Sequence, residues 1–418
     1  MKDLIILNLT KMKLLNEFEV SNLLDVPLHR LNTWAKNGEL IPAELNGVKK
    51  YDKESLLKYE VAQEVLNSKW NHFIKIKPIK EYNSIELFAG AGGMALGMEK
   101  AGIKHILLNE FEKNSCNTLR FNRPKWNVLE NDIRNVSFTE YEGKVDIVTG
   151  GFPCQAFSSA GKKLGFEDTR GTLFFDFARC ITEVKPKVFI GQNVKGLLTH
   201  DNGKTLEVIK QSIKDIGYTL IEPRVLKAMY YKVPQKRERL ILVGIRNDLA
   251  EYATKFKFPE KYTRVLTVGD ALLKGELFDT NVPLSEGVEY PKRKKEIMAE
   301  VPEGGYWRDL TDELQREYMG GSYFLGGGKT GLARRLSMKA PSLTLVCSPA
   351  MSQTERCHPI ETRPLTIRES ARIQTFPDNW IFQGAKGQQY KQIGNAVPVN
   401  LAYALGISIV DLLNKING

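Results

Sequence analysis

Apolar residues change their spacing along the chain, and each change predicts a different kind of unit. In Glu17-Phe-Glu-Val-Ser-Asn-Leu-Leu24 they recur at helical spacing, and Asp25-Val26-Pro27 breaks the run. Leu28, Leu31 and Trp34 mark a second helix, which Asn37-Gly38 ends. Leu40-Ile41-Pro42 is extended, Asn46-Gly47 has the composition of a tight turn, and a further helix starts near Asp52. Residues 1–70 therefore read as a small helical unit, followed by a linker over 71–83. From 84 to 247 the pattern alternates. Short apolar runs at 85–88, 106–108, 145–148, 188–190 and 240–244 are separated by amphipathic stretches. That alternation predicts an α/β fold with a doubly wound sheet. Residues 248–360 lose the rhythm: they hold Lys292-Arg293-Lys294-Lys295, a Gly-rich stretch from Gly320 to Gly331 and Pro-punctuated turns, and predict a smaller irregular domain. From 361 to 418 helical and α/β character returns, so this segment is expected to rejoin the first sheet.

Composition narrows the class without naming it. Of 418 residues, 26% are charged and 42% hydrophobic, which excludes a mainly disordered or collagen-like chain. Sixty Lys+Arg against forty-nine Asp+Glu leave a net +11, which favours a polyanionic partner such as nucleic acid. The five cysteines form no C-x-x-C pair and the five histidines no helical pair, so neither a disulfide framework nor a metal site is expected. No apolar run approaches the ~18 residues of a membrane helix, and the apolar stretch at 4–7 is too short for a signal-peptide core. The expectation is a cytoplasmic protein with no membrane partner.

Two motifs carry chemistry. Ile85-Glu-Leu-Phe-Ala-Gly90-Ala-Gly92-Gly93-Met-Ala95 is a strand entering a Gly-rich turn and a helix, with Glu110 twenty residues after Gly90. Such a turn lets a ligand approach the backbone, and a carboxylate so placed can bind ribose hydroxyls; NAD, FAD and S-adenosylmethionine all remain open. Gly328-Lys329-Thr330 is no phosphate loop, because Tyr323 stands where the first glycine is required. The second motif, Gly150-Gly151-Phe152-Pro153-Cys154-Gln155-Ala156-Phe157-Ser158, sets a thiol in a polar loop after an apolar strand.

With these motifs the chain resembles the DNA (cytosine-5) methyltransferases of bacterial restriction-modification systems. The resemblance is collinear. It takes in Asn109-Glu110, Asn131-Asp132-Ile133, Asp168-Thr169-Arg170-Gly171, Asn193-Val194, Gln235-Lys236-Arg237-Glu238-Arg239, Arg368-Glu369-Ser370-Ala371-Arg372 and Gln392-Ile393-Gly394-Asn395-Ala396-Val397-Pro398. It implies a flipped-out cytosine in duplex DNA, attacked at carbon 6 by Cys154 so that carbon 5 becomes nucleophilic, with S-adenosylmethionine as methyl donor. It further implies that Arg239, with Arg237 beside it, holds the pyrimidine. Phe88, Gly90, Gly92, Gly93, Glu110, Phe111, Asp132, Ile133, Asn395 and Val397 would hold the cofactor. Gln155, Ser158, Lys162, Arg170, Lys236, Arg334, Arg335 and Thr344 would meet DNA, the last three from a target-recognition domain at 248–360. The eleven Lys/Arg against four Asp/Glu in 224–264 suit a phosphate-facing wall. A cognate restriction endonuclease is the implied functional partner. Residues 1–70 resemble the winged helix-turn-helix of the MerR and excisionase kind, which presents its second helix to DNA.

One position departs from the pattern. Gln192-Asn193-Val194 stands where the family has Glu-Asn-Val. The amide can accept from the exocyclic amine and donate to ring nitrogen 3, but it cannot deliver a proton, so base binding is expected to survive while chemistry slows. Two rivals remain at this point. One is a DNA-binding transcriptional regulator acting through residues 1–70. The other is an RNA cytosine-5 methyltransferase, against which the long 248–360 region speaks.

Overall fold

The computed structural model describes residues 14–153, 173–326, 330–351 and 354–418. Cys154, Gln155, Ser158, Lys162 and Arg170 lie outside the described residues.

The N-terminal unit is a three-stranded antiparallel sheet, β1 (Leu14–Asn16), β2 (Ala43–Leu45) and β3 (Val48–Asp52), in the order β1-β3-β2. Between β1 and β2 run the helices Glu17–Leu24 and Leu28–Lys36, where the periodicity predicts them. Asn16 and Glu19 cap the first reciprocally, Asn16 Oδ1 accepting from the Glu19 N–H at 3.0 Å and Glu19 Oε2 from the Asn16 N–H at 2.7 Å. Asn46 and Gly47 both have positive φ, 52° and 73°, the backbone a two-residue hairpin turn requires. The unit is not detached from the rest of the molecule. Val20, Leu23 and Leu24 share one apolar cluster with Met229, Tyr230 and Tyr231, and Asn22 Nδ2 donates to the Lys339 carbonyl at 2.8 Å. The expected linker carries most of a short helix, Trp70–Phe73, with Trp70 buried, and the first residues of the next strand.

The central sheet has eight strands: β4 (Tyr82–Leu87), β5 (Ile103–Glu110), β6 (Val128–Glu130), β7 (Ile147–Gly150), β8 (Val188–Val194), β9 (Tyr218–Leu220), β10 (Arg224–Lys227) and, after the two-residue β11 (Gln235–Lys236), β12 (Glu238–Arg246). Their order is β10-β12-β8-β7-β4-β5-β6, with β9 also on β12. Strands β6 to β8 of that path are mutually parallel, whereas β12 runs antiparallel to β8, so the doubly wound sheet is mixed. Apolar runs predict strands but not their direction. The chain leaves β4 towards β5 on one side and returns to β7 on the other. The carboxyl ends of β4, β5 and β7 therefore border a switch point, where open α/β sheets bind ligands.

The C-terminal segment does not add a strand to this sheet, contrary to the expectation that it rejoins it as a strand-helix unit. It returns as helices. Val399–Asn417 packs on the helix Gly93–Lys100 so closely that a Cβ on Gly97 would stand 2.4 Å from the Ala402 Cβ. This helix is apolar and long enough to cross a membrane, but it is buried in the protein core. The region 248–360 has its own small cores, around Met298, Trp307 and Cys357 and around Val268, Leu336 and Leu345. Its last part enters the large domain through β13 (Ser342–Leu343), which pairs in parallel with β11.

Candidate active site

The turn after β4 is built to leave space above it. Phe88 and Gly90 take left-handed backbone at φ 56° and 55°, and a Cβ on Gly90 would meet nothing within 4 Å. Gly92, at φ 85°, begins the helix Gly93–Lys100. At Gly93 a Cβ would lie 2.2 Å from the Val397 carbonyl oxygen, so the C-terminal segment rests directly on the turn. Glu110, at the end of β5, is held by three backbone N–H groups: Gly90 on Oε2 at 2.7 Å, and Phe111 and Glu112 on Oε1 at 2.9 and 2.7 Å. With about two lone pairs per oxygen, Oε2 keeps one for a ligand hydroxyl. The Phe111 ring beside it is 73% exposed, a free apolar face next to an open turn. The open backbone, the anchored carboxylate and the exposed ring fit a nucleoside-bearing cofactor. Two residues fit less simply. Both Asp132 oxygens accept from the Arg134 guanidinium, which also holds that carboxyl below its ordinary range, and Ile133 is buried among the core side chains under the sheet. Arg134 is exposed, so its release from Asp132 is inexpensive.

The approach to Cys154 is anchored at Phe152. The Phe152 ring is buried against Phe174 and Phe177, at centroid distances of 5.2 and 5.6 Å, and its carbonyl accepts from Asn193 Nδ2 at 3.0 Å. Gln192 precedes that anchor on β8. Its Oε1 lies 3.1 Å from where a Gly151 Cβ would be, so a larger residue there would press on the Gln192 head group. Among the described residues the Gln192 amide has no hydrogen-bond partner. On β12, Arg239 is opposite Val194 and Ile241 opposite Gln192, which puts Gln192 and Arg239 on one face of the sheet. Arg239 is buried and, among the described residues, donates only to the Glu238 carbonyl, at 2.8 Å. Burial pushes its pKa down to about 10, which leaves it charged at neutral pH, with no carboxylate partner among the described residues.

Residues 82–411 match the family described as C-5 cytosine-specific DNA methylase. The chain belongs to that family. It is 60% identical to the type II methyltransferase M.Eco47II of Escherichia coli over 96% of both chains. To M.PspPI of a Psychrobacter species it is 57% identical, over 94% of this chain and 95% of that one. The fold is likewise that of a solved putative DNA modification methyltransferase from an Escherichia coli prophage, with TM-score 0.57 and 23% identity over 80% of this chain and all of the other. The protein is thus a DNA (cytosine-5-)-methyltransferase that uses S-adenosylmethionine, and the RNA reading falls away.

Several side chains expected to meet DNA, the pyrimidine or the cofactor have other partners. Arg237 is 2% exposed and donates from Nη1 to the Leu345 carbonyl and from Nη2 to the Gly394 carbonyl, at 3.1 and 2.9 Å; it ties segments together and does not reach an open site. Arg335 is equally interior, bound to the Met298 carbonyl at 2.7 Å and Thr362 Oγ1 at 2.9 Å. Lys236 and Lys227 both pair with Asp25 of the N-terminal unit, at 2.8 and 2.7 Å. Lys232, Arg246, Lys261 and Arg264 also have carboxylate partners, so much of the supposed phosphate wall is spent on internal ion pairs. A charge count cannot foresee that. Arg334 stacks on Tyr306 at 4.7 Å and stays half-buried, while Thr344 Oγ1 donates to the Lys236 carbonyl at 2.9 Å. Asn395 is exposed, its Oδ1 accepting from Cys347 Sγ at 3.2 Å. Among the described residues no group of His, Cys, Asp and Glu gathers to hold a metal ion.

The sequence reading passed over Glu86, although a charge inside the apolar run 85–88 is the signal that marks it. Its buried carboxylate accepts from the Ala95 N–H at 3.1 Å, while His105 Nε2 meets the Ala95 carbonyl at 2.8 Å, so the first turn of Gly93–Lys100 is held from both strands. Burial pushes Glu86 up to about 8 from an ordinary 4.5. The folded state then keeps a proton that the unfolded chain loses above 4.5, so stability falls as pH rises from 4.5 to 8 and the whole cost is present beyond that. At ~1.4 kcal/mol per unit the cost is at most about 4–5 kcal/mol. Glu86→Gln is expected to raise the urea midpoint at pH 8 more than at pH 5; equal shifts at both values would refute the titration.

Proposed function

We propose that this enzyme methylates a flipped-out cytosine within a specific duplex sequence, as the modification partner of a restriction endonuclease in the cytoplasm. The observation that carries the proposal is the convergence, at the carboxyl ends of neighbouring strands, of an open Gly-rich turn, an anchored approach to Cys154 and a buried Arg239 cation with no carboxylate partner among the described residues. In this reading Cys154 adds to carbon 6 of the base, and the Arg239 guanidinium donates to the pyrimidine and offsets charge that develops on it. Gln192 accepts from the exocyclic amine and donates one N–H to ring nitrogen 3. Phe88, Gly90, Gly92, Gly93, Glu110 and Phe111 hold the cofactor, Asp132 accepts from its adenine once Arg134 moves aside, and Asn395 and Val397 close the pocket. S-adenosylmethionine, when bound there, supplies the methyl group. The type II methyltransferase names of the 60% and 57% identical relatives support the restriction-modification setting. The test is labelled methyl transfer from S-adenosylmethionine to unmethylated duplex DNA, with the product base identified as 5-methylcytosine; label on adenine or on cytosine nitrogen would overturn the reading.

A second DNA-binding role for the N-terminal unit has its own support. The order β1, two helices, then the β2–β3 hairpin is that of a winged helix-turn-helix, and the second helix turns His29, Arg30, Thr33 and Lys36 outwards. Arg30→Glu combined with Lys36→Glu in the full chain is expected to weaken binding to duplex DNA and to reduce the slope of log affinity against log salt by about 2. Cofactor binding should not change. An unchanged salt slope would leave the unit as packing only.

A further inference from the structure

Where the small domain re-enters the large one, three segments meet over a buried polar relay. Gln235 and Gln374 are both fully buried. Gln235 Oε1 accepts from the Leu345 N–H at 2.9 Å, and Gln235 Nε2 donates to Gln374 Oε1 at 3.0 Å. Gln374 Nε2 in turn donates to the carbonyls of Ile393 and Ala396, at 2.7 and 3.3 Å. All three links run in one direction, so each amide polarises the next. Arg237 spans the same junction from Leu345 to Gly394, and its Nε–H has no partner among the described residues. Gly394 approaches so closely that a Cβ there would lie 2.5 Å from the Val346 carbonyl carbon. One end of the relay is thus the backbone of Thr344–Leu345, at the exit of the small domain. The other is the segment whose Val397 carbonyl sits on Gly93 of the cofactor turn.

Apolar side chains would fill this junction at less cost, since a buried amide must find every partner or destabilise the folded state. What amides add is a fixed mutual position of the two segments they join. We infer that Gln235 and Gln374 are positioning residues that couple seating of DNA on the small domain to the placement of the 394–397 segment on the cofactor turn. The inference rests on the proposed reading that region 248–360 faces DNA. Neither side chain touches the cofactor turn, so their effect should appear in the coupling between ligands and not in the affinity for either alone.

The test uses the full chain, S-adenosylhomocysteine and sheared unmethylated genomic DNA. Calorimetry gives the affinity for S-adenosylhomocysteine with and without DNA, and a filter assay gives DNA affinity with and without S-adenosylhomocysteine. In the unaltered protein each ligand should tighten the other by about tenfold, by the same factor in both directions. Gln374→Met and Gln235→Met should each bring both factors below about twofold, with S-adenosylhomocysteine affinity in the absence of DNA within about threefold of the original. The pair Gln235→Met/Gln374→Met removes both members of the central bond, leaves no orphaned side-chain amide, and should fold while remaining uncoupled. If both ligands bind the unaltered protein with no mutual effect, the inference fails while the functional reading stands, and no variant is needed to see it. If DNA fails to bind, both fail. Equal weakening with and without DNA would show a merely structural role and overturn the inference as well.

Discussion

Replacing Gln192 by glutamate is expected to raise the rate of methyl transfer by about 10²–10⁴-fold while DNA affinity stays within a few-fold of the original. The position is already arranged for a proton donor. Gln192 is 8% exposed, its head group lies over Gly151 beside the approach to Cys154, and Arg239 shares its face of the sheet. A carboxyl of the same length would occupy the same space. Poor hydration favours its protonated form and Arg239 favours the ionised one, which tunes it towards neutral pH. In the proposed mechanism, electron density moves to ring nitrogen 3 as Cys154 adds to carbon 6. A carboxylic acid can pass a proton there, whereas a carboxamide can only hydrogen-bond. The substitution should also add a descending limb to the pH–rate profile on the alkaline side, where the new carboxyl ionises; the Gln chain has no such limb. Single-turnover transfer of labelled methyl over pH 6–9, for both forms, reads both effects. Equal rates would mean that the proton comes from elsewhere and that residue 192 only holds the base.

Much of the fold was legible because it depends on local pattern. Helices at 17–24 and 28–36, the Asn46-Gly47 turn and the apolar cores of β4, β5, β7, β8 and β12 were all marked by periodicity or turn chemistry. The Gly-rich turn was legible for the same reason: left-handed backbone at Gly90 and close approach at Gly93 leave few residue types possible. What the sequence concealed was set by tertiary partners. The antiparallel course of β12 follows from its connection to β10, not from its composition. Arg335 and Lys236 were expected to meet DNA and Arg237 to stand beside the pyrimidine, yet their partners are carbonyls, Thr362 Oγ1 and Asp25, as many as 211 residues away in the chain. Gln235 and Gln374 gave no signal, since a glutamine is ordinarily a surface residue and only the fold brings these two into contact.

Cys154→Ala is expected to abolish methyl transfer, by at least about 10⁴-fold, the order lost when a covalent nucleophile is removed. The argument begins with the ring. Carbon 5 of cytosine is too electron-poor to attack a methyl donor, and addition of a thiolate at carbon 6 turns the ring into an enamine whose carbon 5 is nucleophilic. Alanine offers no such addition. It keeps the buried Phe152 ring and the Asn193 contact that fix the chain before it, so a general collapse is not expected. Duplex DNA carrying 5-fluorocytosine separates a chemical role from a structural one. After addition and methylation, carbon 5 bears fluorine in place of hydrogen, no proton can leave, and the carbon–sulfur bond persists. In the Gln192→Glu background, where addition is faster, a protein–DNA adduct should survive denaturing electrophoresis with Cys154 and be absent with Cys154→Ala, while both bind the unsubstituted duplex alike. The Cys116, Cys180 and Cys357 thiols are buried, and burial raises the pKa of each, so none of these can substitute. Cys347 is exposed beside Asn395. An adduct that persists in Cys154→Ala and disappears only on replacing Cys347 would move the nucleophile to the C-terminal side of the pocket and overturn the assignment.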